Sequence, residues 1–434
     1  MGEIWIELRV RGSTSPRPGA RSRLRPALLT EEAGRFRAAK IDPVPRRVNF
    51  AATLRLFRAF GVFLFGLAAA ACSGSGRPAP TDPGAHWPMY LGNAARTPFV
   101  TETVSTEPPE VTWTATVGSG LRGSPIVTQD VIVFAGRDRY LYTLSRHDGS
   151  QYWRRKLEGP TAPPAVSGGT IYAATERTGK LRILSLDSGD DIWKEDFPSV
   201  SAPLTLSGDT LFIATDMGTL HSLDVGKQVQ IWRQQFSRPA VAGPLVVDDF
   251  VLFVTTDSIY TLTRRLGLRR AAASIDEFLV GEPASDGAMV FEATEGGSIV
   301  AWTLPDLEFS WKASGFDAFI AGPVIAGTVG YAVTTTGQLI QFDPKDGSAR
   351  IIARVNETFQ TSPIVVANGI LLGSLAGRLH FLSRDGEPLW SVKLDGTIEE
   401  PVSVYEGRII VPIYGPVSGT FGIGSYRGRL LELR

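Results

Sequence analysis

The side chains able to do chemistry are few and scattered. Cys72 is the sole cysteine, and the four histidines are His86, His147, His221 and His380. One thiol forms no intrachain disulfide, and a thiolate metal site needs several. The histidines stand far apart in the chain, and each reads as a surface residue, not as a member of a ligand set. No nucleophile elbow, P-loop or zinc spacing occurs, and nothing places a Ser, a His and an Asp together. Gly415 to Gly424 is glycine-rich but leads into no helix, so it is a poor phosphate cradle and a better solvated loop. The densest charge run is Arg264-Arg265-Leu266-Gly267-Leu268-Arg269-Arg270, expected as a basic protrusion. Arg264, Arg265, Arg269 and Arg270 are the candidate partner contacts, with a plain solvated loop as the alternative. No residue is assigned a catalytic, cofactor-binding or metal-binding role.

Charge narrows the partners. Residues 1–47 hold 11 Arg/Lys and 5 Asp/Glu; from residue 72 onward there are 31 basic and 39 acidic residues. A net-acidic body lacks the basic footprint that a nucleic-acid ligand requires.

The elements that would position any site are set by a repeat. Pro125, Pro164, Pro203, Pro244, Pro283, Pro323, Pro363 and Pro401 are separated by 39, 39, 41, 39, 40, 40 and 38 residues. A period near 40 means one supersecondary unit copied in series. The second copy shows its content: Pro164-Ala165-Val166, then Ile171 to Thr175, then Leu181 to Leu186, then Ile192-Trp193-Lys194, with Gly/Asp turns between. Short β-rich runs joined by such turns are antiparallel hairpins, and four strands per copy make a propeller blade. Turns expected to reach positive φ include Asp286-Gly287, Asn368-Gly369 and Glu406-Gly407. Trp153, Trp193, Trp232, Trp311 and Trp390 mark the fourth strand, where a large aromatic wedges between neighbouring sheets. The fourth copy lacks this tryptophan.

The eighth copy stops at its third strand, Gly428 to Leu433. Its missing strand is found at the front, where Val111 to Thr116 places Trp113 at 12 residues before Pro125. The expected fold is therefore all-β: an eight-bladed propeller, 87–434, of four-stranded antiparallel blades, the last closed by the strand 111–117. A closed ring has no open first-to-last edge.

Ala59 to Cys72 is apolar over 14 residues, too short to span a membrane and suited to a signal-peptide core, with Arg46, Arg47, Arg55 and Arg58 before it. Residues 48–72 resemble a bacterial lipoprotein signal, which implies lipidation of Cys72. That family's pattern prefers Leu where Ala69 stands; the alternative is an ordinary signal peptide cleaved after Ala-x-Ala. Residues 73–86 read as a flexible linker, and Ser73 resembles the outer-membrane sorting pattern. Residues 1–47 are either a disordered Arg/Pro-rich leader or the product of a start codon set too early.

With the Asp/Gly turn and tryptophan in phase, the repeats resemble the pyrroloquinoline-quinone-type (quinoprotein) propeller repeat. Leu186-Asp187-Ser188-Gly189-Asp190-Asp191-Ile192-Trp193 is the best copy, and Trp87 to Asn93 looks like the lead-in before such propellers. The resemblance implies two classes. One is the non-enzymatic lipoprotein propeller, similar to the B subunit of the outer-membrane β-barrel assembly machinery: a monomeric scaffold binding protein partners on the periplasmic side of the outer membrane, held only by its lipid and using no cofactor. The other is the quinoprotein dehydrogenase, with PQQ and Ca²⁺ in the ring centre. Calcium would need carboxylates converging on the axis. Glu399-Glu400 and Asp248-Asp249 are paired acids but sit at strand ends or turns. Propeller faces also suit a carbohydrate-binding or adhesion module.

Overall fold

The computed structural model describes residues 85–94, 98–417 and 425–434. The expected leader (1–47), the expected signal with Cys72 (48–72) and the expected linker up to residue 84 lie outside the described residues. Every regular element among the described residues is a strand. Among the described residues no helix is long and apolar enough to cross a membrane.

Alternation of buried and exposed positions builds eight antiparallel sheets. Blade 2 is representative, with strands Ala165–Ser167, Thr170–Ala174, Lys180–Ser185 and Asp191–Asp196. Its second strand is almost wholly buried, while its fourth is largely exposed. The first strands of blades 3 to 7 touch in succession, and that of blade 1 (Leu121–Thr128) meets that of blade 8 (Ser403–Tyr405). First strands are therefore innermost and the ring is closed. Each repeat proline opens or sits within an innermost strand, where its missing N–H falls at a strand start or beside a bulge.

Closure follows the expected route. Blade 8 runs Ser403–Tyr405, Arg408–Val417, Ser425–Leu433, and then Val111–Val117 as its outermost strand. Trp113 is opposite Glu432 and Ala115 opposite Leu430. Backbone bonds between Glu110 and Arg434, at 2.9 and 3.0 Å, finish the ladder.

Tryptophan docking is a two-part device. The indole Nε1 donates to a carbonyl in the third turn of the next blade: Trp113 to Arg146, Trp153 to Leu186, Trp232 to Arg264 and Trp311 to Pro344, at 2.8–3.1 Å. The ring then lies on the glycine of that turn. A Cβ on Gly149 would stand 2.5 Å from the Trp113 ring, and one on Gly267 would stand 2.4 Å from Trp232. Both glycines also have positive φ, so turn geometry and close approach demand the same residue. Trp193 is half-buried against the cluster holding Leu206 and Leu211. Trp390 docks on Ser105, in the segment leading to the closing strand, at 2.9 Å.

Two blades replace the device. Blade 4 has Ala271 at the tryptophan position, and the next turn carries Leu307 where blades 1, 2, 4 and 6 carry Gly149, Gly189, Gly267 and Gly347. Leu307 keeps the positive φ of 52° but buries its side chain beside Ala271. The small residue on one blade is filled by the large one on its neighbour. Blade 6 also lacks the tryptophan, a departure the repeat reading passed over. Ile352 faces blade 7 in its place, packing in the cluster with Leu372 and Leu382, and its carbonyl covers Gly386.

The lead-in is a strap along the axis. An innermost strand has one edge paired within its blade, so its other edge faces the ring centre. Val166 N–H donates to Pro88 O at 2.8 Å, Val246 to Ala94 O at 3.0 Å and Val365 to Pro98 O at 2.9 Å. Trp87 pairs opposite Val127. The four valines hold the same repeat position, two after the proline, in blades 1, 2, 4 and 7. Met89, Leu91 and Val104 are buried along the strap. Asn368 grips Val104 through both its N–H and its carbonyl, at 3.0 and 2.8 Å. Asn368-Gly369 does not take the expected positive φ. A Cβ on Gly369 would meet Phe381 and Leu382, so glycine is kept there for close packing.

Candidate functional site

Each blade sends its first and third turns to one face of the ring and its second turn and inter-blade connector to the other. The strap lies toward the turn face, since it is pinned by Asn368 and by Gly407, which donates to Glu102 at 3.1 Å. The mouth at the connector face is lined by paired charges. Arg137 binds Glu399 at 2.9 Å and Glu400 at 3.4 Å, and Arg122 pairs with Glu176. Burial pushes the Glu400 carboxyl up, while Arg137, the Gly123 N–H and Arg122 pull it back. Burial also lowers Arg122, which Glu400 opposes.

The sequence-derived acid pairs do not meet. Glu399-Glu400 sits in a connector and Asp248-Asp249 in the first turn of blade 4, on the opposite face. Among the described residues, no three His, Cys, Asp or Glu side chains converge. His147 contacts Asp130 and His380 contacts Glu357, each at 3.0 Å, and His221 contacts Gln230 at 2.8 Å. Burial lowers the His221 imidazole. These three histidines belong to different blades. The glycine-rich segment expected as a loop from Gly415 starts as a continued ladder, with Gly415 opposite Arg427 and Val417 opposite Ser425. Residues 418–424 lie outside the described residues.

The arginine run is not a protrusion. It is the third turn of blade 4, with the same Gly267-to-Thr263 backbone bond that Gly149 makes to Ser145 in blade 1. Three of its four arginines are engaged. Arg264 donates to Ser207 O at 2.7 Å, Arg269 lies over the Tyr260 and Phe236 rings at 4.8 and 5.0 Å, and Arg270 pairs with Asp306 at 2.7 Å. Arg265 is exposed, and beside it a groove of about 920 Å³ opens between blades 3 and 4, lined in part by Val229, Ile231 and Leu266.

One departure from the repeat escaped the sequence reading. Glu292 lies in the second strand of blade 5, fully buried, and neither carboxylate oxygen has a hydrogen-bond partner among the described residues. The other blades hold Phe134, Ala173, Ile213, Phe253, Ala332, Leu372 and Val411 at this place. A bulge between Val280 and Ala284 sets Glu282 across from it. Glu282 accepts the Gly243 N–H at 3.1 Å. Burial, then Glu282, drives the Glu292 carboxyl well above its ordinary range. The available signal was a single acid inside Val290-Phe291-Glu292-Ala293, a strand that is apolar in every other copy.

Comparison with known proteins agrees with this architecture. The family model described as outer membrane protein assembly factor BamB matches residues 102–199 and 177–274. BamB of Moraxella catarrhalis is similar in fold: TM-score 0.60, 17% identity, 75% of this chain and 97% of that one. A europium-containing methanol dehydrogenase aligns at TM-score 0.66 and 12% identity, over 81% of this chain and 98% of that one. The quinohemoprotein alcohol dehydrogenase of Comamonas testosteroni aligns at TM-score 0.66 and 11% identity, over 82% and 81%. No curated protein matches the sequence. Among the described residues the quinone-plus-calcium group of the second class finds no fitting donor set: Glu399 and Glu400 pair with Arg137, Glu176 pairs with Arg122, and no three acids or histidines come together.

Proposed function

We propose that this chain, a propeller of PQQ-like repeats similar to the BamB assembly factors, is a non-enzymatic scaffold holding protein partners at the bacterial envelope. Its place is the periplasmic side of the outer membrane, tethered by lipid on Cys72, and its partners belong to outer-membrane β-barrel assembly. The observation that carries this reading is the state of the axis. At the connector face Arg137 pairs with Glu399 and Glu400 and Arg122 with Glu176, and toward the turn face the strap runs along the inner strands. Among the described residues the ring centre thus offers charged groups already paired with one another and the chain's own strap. The BamB family match supports the scaffold class. Crosslinking and pull-down from native envelopes tests the reading: recovery of a β-barrel assembly component is the expected result, and recovery of none overturns it. Cys72→Ala is expected to release the chain from the membrane fraction.

The similarity to quinone-dependent dehydrogenases favours a second reading, oxidation of an alcohol or sugar with PQQ and calcium. Reconstitution with both separates the two. The scaffold reading expects neither cofactor absorbance nor substrate oxidation.

A further inference from the structure

The third turn of blade 4 departs from its equivalents in a way that the blade's own structure does not use. Beside the turn glycine or its equivalent, the other blades put polar residues in front: Asp148, Ser188, Asp306, Asp346 and Asp385. In blades 1, 2 and 6 these close the turn, accepting the backbone N–H two residues on at 3.1, 3.2 and 2.8 Å. Blade 4 has Leu266 in front of Gly267 and Leu268 behind it, and these are 66% and 56% exposed. A local hydrogen bond is given up, and two leucines are placed in water. Across the groove, Val229 and Ile231 on the outermost strand of blade 3 are 49% and 46% exposed. Contiguous exposed apolar side chains of this kind mark an interaction surface.

The charges around the groove set the kind of partner. Lys227 is matched by Asp224 at 2.8 Å, and Arg264 is spent on Ser207 O. Arg265 projects with no partner among the described residues, Asp249 lies on the same blade, where its carbonyl accepts the Arg264 N–H at 2.7 Å, and Arg269 and the Asp306-paired Arg270 follow along the next strand. Within a net-acidic domain this is a locally basic rim around an apolar cleft. We propose that the groove between blades 3 and 4 docks an extended protein segment presenting an apolar side chain with carboxylates beside it. The apolar group enters between Leu266, Val229 and Ile231, and a carboxylate meets the Arg265 fork, the geometry at which guanidinium–carboxylate pairing is strongest.

This inference rests on the scaffold reading, and its test separates the two. A photo-crosslinking side chain is placed at Leu266 in the full chain, and in parallel at Phe278 on the connector face. Complexes are trapped in the native envelope and the crosslinked segment is identified by mass spectrometry. The expected product from position 266 is a partner segment with an apolar residue next to Asp or Glu. Ile231→Asp and Arg265→Glu, both at exposed positions lining the groove and each checked by thermal melting for an intact fold, should each cut its yield about tenfold, as loss of an interface anchor does. A basic segment, a lipid or a second copy of this chain trapped at position 266 overturns the proposal. Crosslinks only from position 278 overturn it while leaving the scaffold standing, and crosslinks from neither position overturn both.

Discussion

At the scale of single residues, the buried carboxyl of Glu292 carries an energetic cost. An ionised carboxylate with no hydrogen-bond partner in such a place is strongly disfavoured, so burial, then Glu282, pushes the group toward its neutral form. Its native pKa lies above the unfolded one. The associated stability is therefore complete below the unfolded pKa and is lost as pH rises toward the native value. Over that window wild type should fall behind Glu292→Gln by up to ~1.4 kcal/mol per pH unit. Denaturant midpoints of both proteins between pH 5 and 9 check this, and parallel curves would contradict it. Trp311 gives the opposite case, a residue whose burial is fully rewarded. It packs near Phe291 and Phe342 and donates to Pro344 O. Trp311→Ala should cost about 3–5 kcal/mol in denaturant unfolding. The tryptophans were legible because their type and spacing recur. Glu292 was not, because a lone acid in an apolar run announces nothing until the register shows which side of the strand it occupies.

At the scale of elements, the blade interfaces work by complementary volume. Ala271 and Leu307 sit on adjacent blades and exchange the sizes that tryptophan and glycine have elsewhere. Ala271→Trp alone should overpack and cost about 1–3 kcal/mol, and Leu307→Gly alone should leave a hole costing about 2–5 kcal/mol. Made together they restore the common device, so the double mutant should be more stable than the sum of the singles by at least ~1 kcal/mol, read from a double-mutant cycle in urea. Simple additivity would mean that the two positions do not share one site. The loss of tryptophan in the fourth copy could be seen in the sequence, but its compensation could not. The partner residue is 36 positions away, and only the positive φ at Leu307 shows that it occupies the glycine's place. The arginine run misled in the same way: its composition looked like an insertion, while backbone bonding shows a turn of ordinary length. Asn368-Gly369 has the composition of a hairpin turn, yet the asparagine is used to hold the strap, a contact 264 residues apart that no local pattern encodes.

At the scale of the whole molecule, the period of the prolines and the truncated last copy were enough to foresee an eight-bladed ring closed by residues 111–117. Such a seam joins the two ends of the chain across long sequence separation, so its removal should act globally. Deleting Val111–Val117 should abolish the single cooperative thermal transition by exposing the third strand of blade 8, with Leu430, Leu431 and Leu433 on it. A small, local loss of stability would contradict the seam. The strap was foreseen only as a lead-in; its course past blades 1, 2, 4 and 7 depends on free inner strand edges that exist only once the ring is built. The scaffold reading rests on the ring's centre, where the described residues offer paired charges and the chain's own strap. The most direct measurement is calorimetric titration of the full chain with PQQ in the presence of Ca²⁺, alongside thermal melting of the same samples. A ligand bound at a hundredfold excess over its Kd would add ~2.7 kcal/mol of stability, which is easily read. The account predicts no saturable heat and an unshifted melting curve; one-to-one saturation with a raised melting temperature would contradict it.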